Sequence, residues 1–286
     1  MENVAAKKPF LTDVHNHSNF SPDGVSSLSE MAAEAFSRGV AYYGVSEHIN
    51  YDVCFFVPPE RKRLETTDED AYNAAARKLQ RDYAGKMDLL VGAEFGYLPQ
   101  KKVLDDYCVY AEKYRPDFIV NSIHLDGKTD YFLQSAFYFD DGKLREKSEV
   151  YKEYLALVKS SLSAPYPYDI VGHLGYCARY APYADKAMRY HEFCDEFDSI
   201  LTEMIARGKI LEINASSQGL SGCSVTDESV VRRYFALGGK EVSYASDAHQ
   251  ATSLLRGRDE VSAFLKGIGF THITVPCRGK KHRIEL

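Results

Sequence analysis

No apolar run of about 18 residues occurs in this chain of 286, so nothing in it reads as a membrane-spanning helix. The opening Met-Glu-Asn-Val-Ala-Ala-Lys-Lys lacks the apolar core of a secretion signal. Cysteine is scattered, at Cys54, Cys108, Cys177, Cys194, Cys223 and Cys277, with no Cys-x-x-Cys pair. In a chain this long that is not a disulfide framework, and reduced thiols in a cytoplasmic protein are the expectation. There is no cationic excess either. The formal net charge is −6 and the pI about 5.9, which argues against a general nucleic-acid or membrane-surface binder. The basic stretch Arg278-Gly-Lys-Lys-His-Arg283 reads as a solvated terminus. No internal repeat, low-complexity tract or Pro/Gly/Ser linker divides the sequence, which points to a single domain over residues 1–286.

Short apolar runs alternate with helical patterns. Strands are expected near 10–15, 42–47, 88–94, 117–123, 168–173, 209–213 and 242–246, with a weaker one at 271–275. Helices are expected at about 27–38, 68–84, 101–114, 146–163, 186–207, 226–237 and 253–267. Ser26-Ser-Leu-Ser-Glu30 has the form of a capped helix entry. Repeated strand–helix alternation implies parallel strands with crossover helices. The expected fold is α/β, a barrel, with a doubly wound open sheet as the alternative. Two connections are long: 49–67, containing Phe55-Phe-Val-Pro-Pro-Glu60, and 125–145, containing Tyr131-Phe-Leu and Phe137-Tyr-Phe139. Their aromatics either wall a pocket or cover the outer edge of the barrel.

The polar residues fall at strand ends. His15 and His17 are two apart on the first strand, so both imidazoles point to one side. The later strands end in Glu47-His48, Glu94, His124, His173, Glu212-x-Asn214 and Asp247-Ala-His249. In an α/β barrel the active site is built at the carboxyl ends of several strands. A lone strand-end histidine is usually a hydrogen-bonded core or rim residue. Converging imidazoles and carboxylates at every strand are different, because buried carboxylates need a shared positive charge. Divalent metal ions supply it, and imidazole is a common ligand. One zinc takes four ligands, so this many candidates suggest two or three ions. Mixed histidine and carboxylate donors suit zinc, iron or manganese. Paired ions favour hydrolysis, and Glu94 is the best-placed bridge. Cys177 lies near His173 in sequence but reads as a packed thiol. His191, His272 and His282 fall outside the pattern.

The motifs Asp13-Val-His-Asn-His-Ser-Asn-Phe-Ser-Pro-Asp-Gly24, Glu47-His48, Glu94, His124, Gly172-His-Leu174 and Ser246-Asp-Ala-His249 resemble those of the polymerase-and-histidinol-phosphatase (PHP) phosphoesterase family over roughly residues 10–250. The stretch Tyr168-Asp-Ile-Val-Gly-His-Leu, followed by Arg179-Tyr180, resembles the histidinol-phosphate phosphatase branch. The resemblance implies a distorted seven-stranded (β/α)7 TIM-like barrel with a trinuclear metal centre. It places His15, His17, Glu94 and Asp247 on one ion, Glu94, His124 and His173 on a second, and Asp23, His48 and His249 on a third. Asp23 stands where many relatives carry histidine; by itself Ser-Pro-Asp-Gly is a turn sequence.

The implied reaction is hydrolysis of a small phosphomonoester, histidinol phosphate foremost. His249, Asp23 and Asp247 are the candidate catalytic side chains, with His249 or Asp23 passing a proton to the leaving alkoxide. Arg179, Asn214 and Arg256 are the candidate substrate contacts, since guanidinium groups bind phosphate in a fork. One departure stands out: the branch has an Arg soon after Glu-Ile-Asn, whereas here Ala215-Ser-Ser-Gln-Gly-Leu-Ser221 follows Asn214. Arg256 or Arg258 from the next loop is the substitute. The alternatives are another small phosphoester, or amide and lactone hydrolysis on a similar barrel. Those barrels carry a bridging Lys on the fourth strand, where this chain has His124.

Overall fold

The computed structural model describes residues 11–58, 65–216 and 225–286. The strands are β1 (Leu11–Asp13), β2 (Val40–Val45), β3 (His48–Ile49), β4 (Asp88–Gly96), β5 (Phe118–Ser122), β6 (Ile170–Val171), β7 (Ile210–Asn214) and β8 (Val242–Ala245). Seven of them run in the order β1-β2-β4-β5-β6-β7-β8, every pairing parallel, and the short β3 lies against β4. A parallel bridge between Asn16 and Ala248 brings the last strand back to the first. There His17 N donates to Ala248 O at 2.9 Å and Asp247 N to His15 O at 3.0 Å. The sheet is thus a nearly closed, distorted TIM-like barrel, which removes the open doubly wound alternative.

Helices α1 (Leu28–Ser37), α2 (Tyr51–Phe56), α3 (Glu69–Asp82), α4 (Lys101–Tyr114), α5 (Lys147–Ser161), α6 (Tyr176–Tyr180), α7 (Cys194–Ala206), α8 (Glu228–Ala236) and α9 (Arg258–Ile268) complete the crossovers. Local chemistry sets their ends. Ser27 and Glu30 form a reciprocal capping box at α1, and the carboxylates of Asp68 and Asp227 cap α3 and α8. Helix α1 then buries Leu28, Met31, Ala32 and Ala35 on one face, as the 3.6-residue period dictates. Strand β4 is buried along its whole length after Asp88, the pattern of a parallel strand covered on both faces.

Inside the barrel, the Phe118 ring occupies the space next to Gly44 and Gly92. A Cβ at Gly92 would lie 2.4 Å from that ring, and one at Gly44 would lie 2.8 Å from it. Below the ring, Val14, Leu90, Val120, Ile170 and Ile210 form a cluster with Val275 and Ile284. The last two belong to an antiparallel hairpin of β9 (His272–Cys277) and β10 (Lys280–Glu285). The hairpin therefore seals the end of the barrel away from the ligand-bearing strand ends. It is pinned there by Arg278, whose backbone N donates to Asp117 O and whose Nε donates to Asp117 Oδ1, both at 2.6 Å.

Several expectations need correction. The basic stretch 278–283 is not a loose terminus but the turn and second arm of that hairpin. Its lysines and arginines face outward while Ile284 is buried. The helix expected at 186–207 is a single-turn 3-10 segment at Tyr190–Glu192 followed by α7, with non-helical Phe193 (φ −140°, ψ 45°) between them. Strand β6 keeps two ladder residues rather than six, because His173 turns to φ 20° at its end. The connection 49–67 carries α2; residues 59–64 lie outside the described region. Cys108, Cys177, Cys194 and Cys277 are free thiols, and Cys223 lies outside the described residues. Among the described residues no helix is long and apolar enough to cross a membrane.

Candidate metal centre

The His-x-His strand end works as its periodicity implies, because the intervening residue is pinned the other way. Asn16 Nδ2 donates to the carbonyls of Asp13 and Gly44, each at 3.2 Å, and its Oδ1 accepts from Ser246 Oγ at 2.8 Å. His15 and His17 are left pointing into the mouth of the barrel, both fully buried, their ring centroids 5.1 Å apart.

Glu94, on β4, is the hub. Its Oε2 lies 2.8 Å from His48 Nδ1, 3.3 Å from His15 Nε2 and 3.5 Å from His17 Nε2. Its Oε1 lies 2.8 Å from His173 Nε2 and 3.3 Å from His124 Nε2, and accepts from Ser122 Oγ at 2.6 Å. The two oxygens thus face two different sets of imidazoles. Asp247 Oδ1 is 3.3 Å from His17 Nε2 and 3.8 Å from His15 Nε2. Asp23 sits at the outer rim, its Oδ2 3.1 Å from His249 Nε2 and its Oδ1 3.7 Å from His48 Nε2. His17 lies between two stacked rings, His48 at 4.1 Å and His249 at 4.4 Å.

Donor atoms in four triplets approach one another closely enough to share an ion: His15–His17–Asp247, His15–Glu94–His173, His48–Glu94–His124 and His17–His48–His249. The triplets thus bring eight of the nine expected ligands together, and Asp23 joins them at the rim beside His249. The triplets regroup the expected sets at several points: His48 faces Glu94 and His124 as well as Asp23, His17 also faces His48 and His249, and His15 also joins Glu94 and His173.

Packed imidazoles and carboxylates without a cation leave donors unsatisfied. His15 Nε2, His17 Nε2, His48 Nδ1, His249 Nε2 and Glu94 Oε2 are buried without a hydrogen-bond partner among the described residues. Such orphans are costly in a folded interior. Cations at this spot would satisfy them, so the donor set fits two or three divalent ions of the zinc, iron or manganese type.

The electrostatics agree. Burial works to raise the Glu94 carboxyl, but the facing His15, His48 and His124 hold it well below the usual range. Burial likewise opposes ionisation of Asp247, yet the facing His17, at 3.3 Å, and the neighbouring His15 and His249 keep it well below. Burial and the neighbouring His48 and His249 push His17 down to about 3, which leaves its imidazole neutral, the form that ligates metals.

A surrounding layer holds these groups in place. Glu212, fully buried on β7, accepts from His15 Nδ1 at 2.6 Å and from His173 N at 2.8 Å. A carboxylate on the second nitrogen of a ligand imidazole fixes its tautomer and orientation. Sequence reasoning placed Glu212 at a strand end but gave it no role; its spacing to Asn214 was the available signal. Asn214 spends its amide on Glu212 Oε2 at 3.1 Å and Asp247 Oδ2 at 3.3 Å, and its Oδ1 accepts from Ser216 N. It is thus engaged in positioning Asp247, which itself adopts the left-handed region at φ 51°. Glu47 was also overlooked: Ser18 N, Ser18 Oγ and Ser21 Oγ donate to it and fix the loop that follows β1.

Arg179 and Arg256 meet at Ser216. Arg179 Nη1 donates to Ser216 Oγ at 3.0 Å and lies 3.8 Å from Asp247 Oδ2; Arg256 Nη1 donates to Ser216 O at 2.9 Å. The stretch 217–224, which carries most of the segment lacking the expected Arg, lies outside the described residues. Cys177 is fully buried, and burial pushes its thiol well up, so it is a packing residue rather than a ligand. The aromatics of 125–145, expected to wall a pocket or cover the outer edge of the barrel, are partly buried in the core and partly exposed. Tyr131 and Phe137 are core residues, while Phe132 is 60% exposed and rests on Tyr180.

Comparisons with known proteins give the family and the fold. The family model for the PHP domain matches residues 13–216. A histidinol-phosphatase of Lactococcus lactis is 26% identical over 259 residues, covering 90% of this chain and 91% of its own. A probable histidinol-phosphatase of Clostridium acetobutylicum is 28% identical over 250 residues, covering 85% and 88%. The crystal structure of the Lactococcus lactis histidinol phosphate phosphatase, complexed with zinc, L-histidinol and phosphate, superposes with a TM-score of 0.79. At 23% identity it covers 95% of this chain and 98% of that one, and it shares the fold. With the family model spanning most of the barrel and its motifs converging on one cluster, this chain belongs to the PHP domain family.

Proposed function

We propose that this chain is a metal-dependent phosphomonoesterase that hydrolyses histidinol phosphate to histidinol and phosphate. The observation that carries the reading is the placement of Glu94, one carboxylate whose two oxygens face separate groups of imidazoles. That is the arrangement of a bridge between ions. Relatives named for histidinol phosphate across nearly their full length supply the substrate.

Divalent ions held by His15, His17, His48, Glu94, His124, His173, Asp247 and His249, with Asp23 at the rim, supply Lewis-acid charge for phosphoryl oxygens and lower the pKa of water. The protein does the rest. Arg179, poised beside Asp247, forms a fork for the phosphate oxygens. Arg256 braces the Ser216 backbone on which Arg179 rests. At the rim, His249 and Asp23 lie 3.1 Å apart, and one of them passes a proton to the departing alkoxide. Asn214 and Glu212 keep Asp247 and His15 in register. The reading extends to a cytoplasmic enzyme acting on a small phosphorylated substrate, with the whole chain as one domain.

The test is release of phosphate by purified, metal-loaded protein from histidinol phosphate and a panel of phosphomonoesters, beside amides and lactones. The expected result is the highest kcat/KM for histidinol phosphate. Hydrolysis of an amide or lactone without any phosphate release overturns the reading.

A further inference from the structure

The segment after β5 builds a small device at the edge of the metal cluster. Asp126 Oδ1 accepts from Lys128 N at 3.0 Å and Thr129 N at 2.8 Å, a tight turn that reverses the chain. Leu125 then pairs with Asp130 in an antiparallel bridge, and Tyr131 N donates to His124 O at 2.9 Å. The turn thereby sets Asp130 directly beside the His124 segment.

Asp130 is half-buried, and its carboxylate acts on the nearby His124 imidazole. Its Oδ1 accepts from Phe132 N at 2.8 Å and from Tyr176 Oη at 3.4 Å. No Lys or Arg among the described residues pairs with it, and its Oδ2 takes no hydrogen bond from them. A carboxylate partly withdrawn from water gains from a cation.

Aromatic rings lead outward from the cluster past this carboxylate. The Tyr176 ring is 5.1 Å from that of His124 and 5.0 Å from that of His173. Tyr180, one helical turn on, is 5.5 Å from Tyr176, and Phe132 is 5.1 Å from Tyr180. Arg179 lies over the Tyr180 ring at 5.2 Å and reaches toward Asp247. One short helix, α6, thus joins a cationic group on the phosphate side to a carboxylate contact on the other. A ligand with an anionic end and a cationic or flat heteroaromatic end matches that layout, and aromatic faces also attract cations.

We propose that Asp130 is the specificity-determining residue of the leaving-group subsite, its carboxylate receiving a cationic nitrogen of the alcohol portion while Tyr176, Tyr180 and Phe132 form the wall. The inference rests on the phosphomonoesterase reading and deepens it. Histidinol phosphate, with an ammonium group and an imidazole, is one member of the class the subsite accepts. Asp130 binds and selects; it touches no reacting atom.

The experiment uses the full metal-loaded chain and the isosteric variant Asp130→Asn, which keeps the acceptor for Phe132 N and removes the charge. The kcat/KM ratio of histidinol phosphate to p-nitrophenyl phosphate is expected to fall roughly tenfold or more in the variant, the equivalent of one charge-assisted hydrogen bond, with partial recovery in Asp130→Glu. A ratio that stays within about twofold of the unsubstituted protein overturns the proposal. O-phosphoethanolamine against ethyl phosphate separates the two claims. If histidinol phosphate is not turned over but a preference for the cationic ester is lost in Asp130→Asn, the substrate named above is wrong and the role of Asp130 stands. If no ester is hydrolysed, calorimetric titration with L-histidinol decides. Binding weakened about tenfold by the substitution supports the subsite, and equal binding, or none by the unsubstituted protein, overturns it.

Discussion

Glu212 holds His15: Oε1 of the carboxylate and Nδ1 of the imidazole lie 2.6 Å apart, both fully buried, with Nε2 of the same ring turned toward Glu94 and Asp247. The contact fixes which nitrogen of His15 is offered to an ion. Replacing Glu212 by Gln keeps the shape and removes the charge. Metal affinity is expected to drop by about 10–100-fold, the usual effect of losing such a partner. Metal content after dialysis, with activity restored by excess zinc or manganese, checks it. Full retention of metal and activity would refute the orienting role.

Glu94→Ala removes the group shared by the two halves of the cluster. Turnover is expected to fall to background, and fewer ions per chain should be found by elemental analysis. A variant with unchanged metal content and unchanged rate contradicts the bridging role.

Chelation offers a separate readout. Ions that bind only the folded chain stabilise it by mass action, about 2.7 kcal/mol at a free concentration 100 times Kd. Stripping with a chelator should lower Tm, and titrating zinc or manganese back should raise it in a concentration-dependent way. A Tm indifferent to both would mean the cluster holds no ion.

The far end of the barrel has its own titration. Asp117 is 2% exposed and accepts from Arg77 Nη1, Gln80 Nε2 and Val91 N on one oxygen and from Arg278 Nε on the other. Burial opposes its ionisation, but these hydrogen bonds outweigh that and lower its carboxyl below the ordinary 3.8. A carboxyl depressed by folding stabilises above its unfolded value and loses that contribution as pH falls through the folded one. Asp117→Asn should therefore cost about 1–3 kcal/mol at pH 7. The gap should shrink progressively once pH drops below 3.8. Urea midpoints across that range measure it; a gap independent of pH would exclude the charge as its source.

Gly92→Ala puts a methyl group 2.4 Å from the Phe118 ring inside the barrel. Overpacking of this kind costs about 1–3 kcal/mol. Thermal unfolding should show the loss, and pairing the change with Phe118→Leu should recover part of it.

Much of this site was legible because its chemistry follows the strand period. His15 and His17 share a side, and each later ligand ends an apolar run. The supporting layer was not, since nothing about Glu212 in isolation says which histidine it will meet after β7 and β1 come together. Strand β10 was hidden for a different reason. It is an edge strand with Ile284 as its one buried residue, so its lysines read as a free tail. The helix expected over 186–207 is interrupted where Phe193 leaves the helical conformation and is buried, a tertiary preference that overrides local periodicity. Asp130 is placed by an Asx turn and a single bridge, too little pattern for any periodicity to show.

The β9–β10 hairpin has a consequence for traffic. With Val275 and Ile284 packed into one end, that end is shut among the described residues, and the ligands face the opposite mouth. Ester, alcohol and phosphate would then share that one face of the barrel on the way in and on the way out.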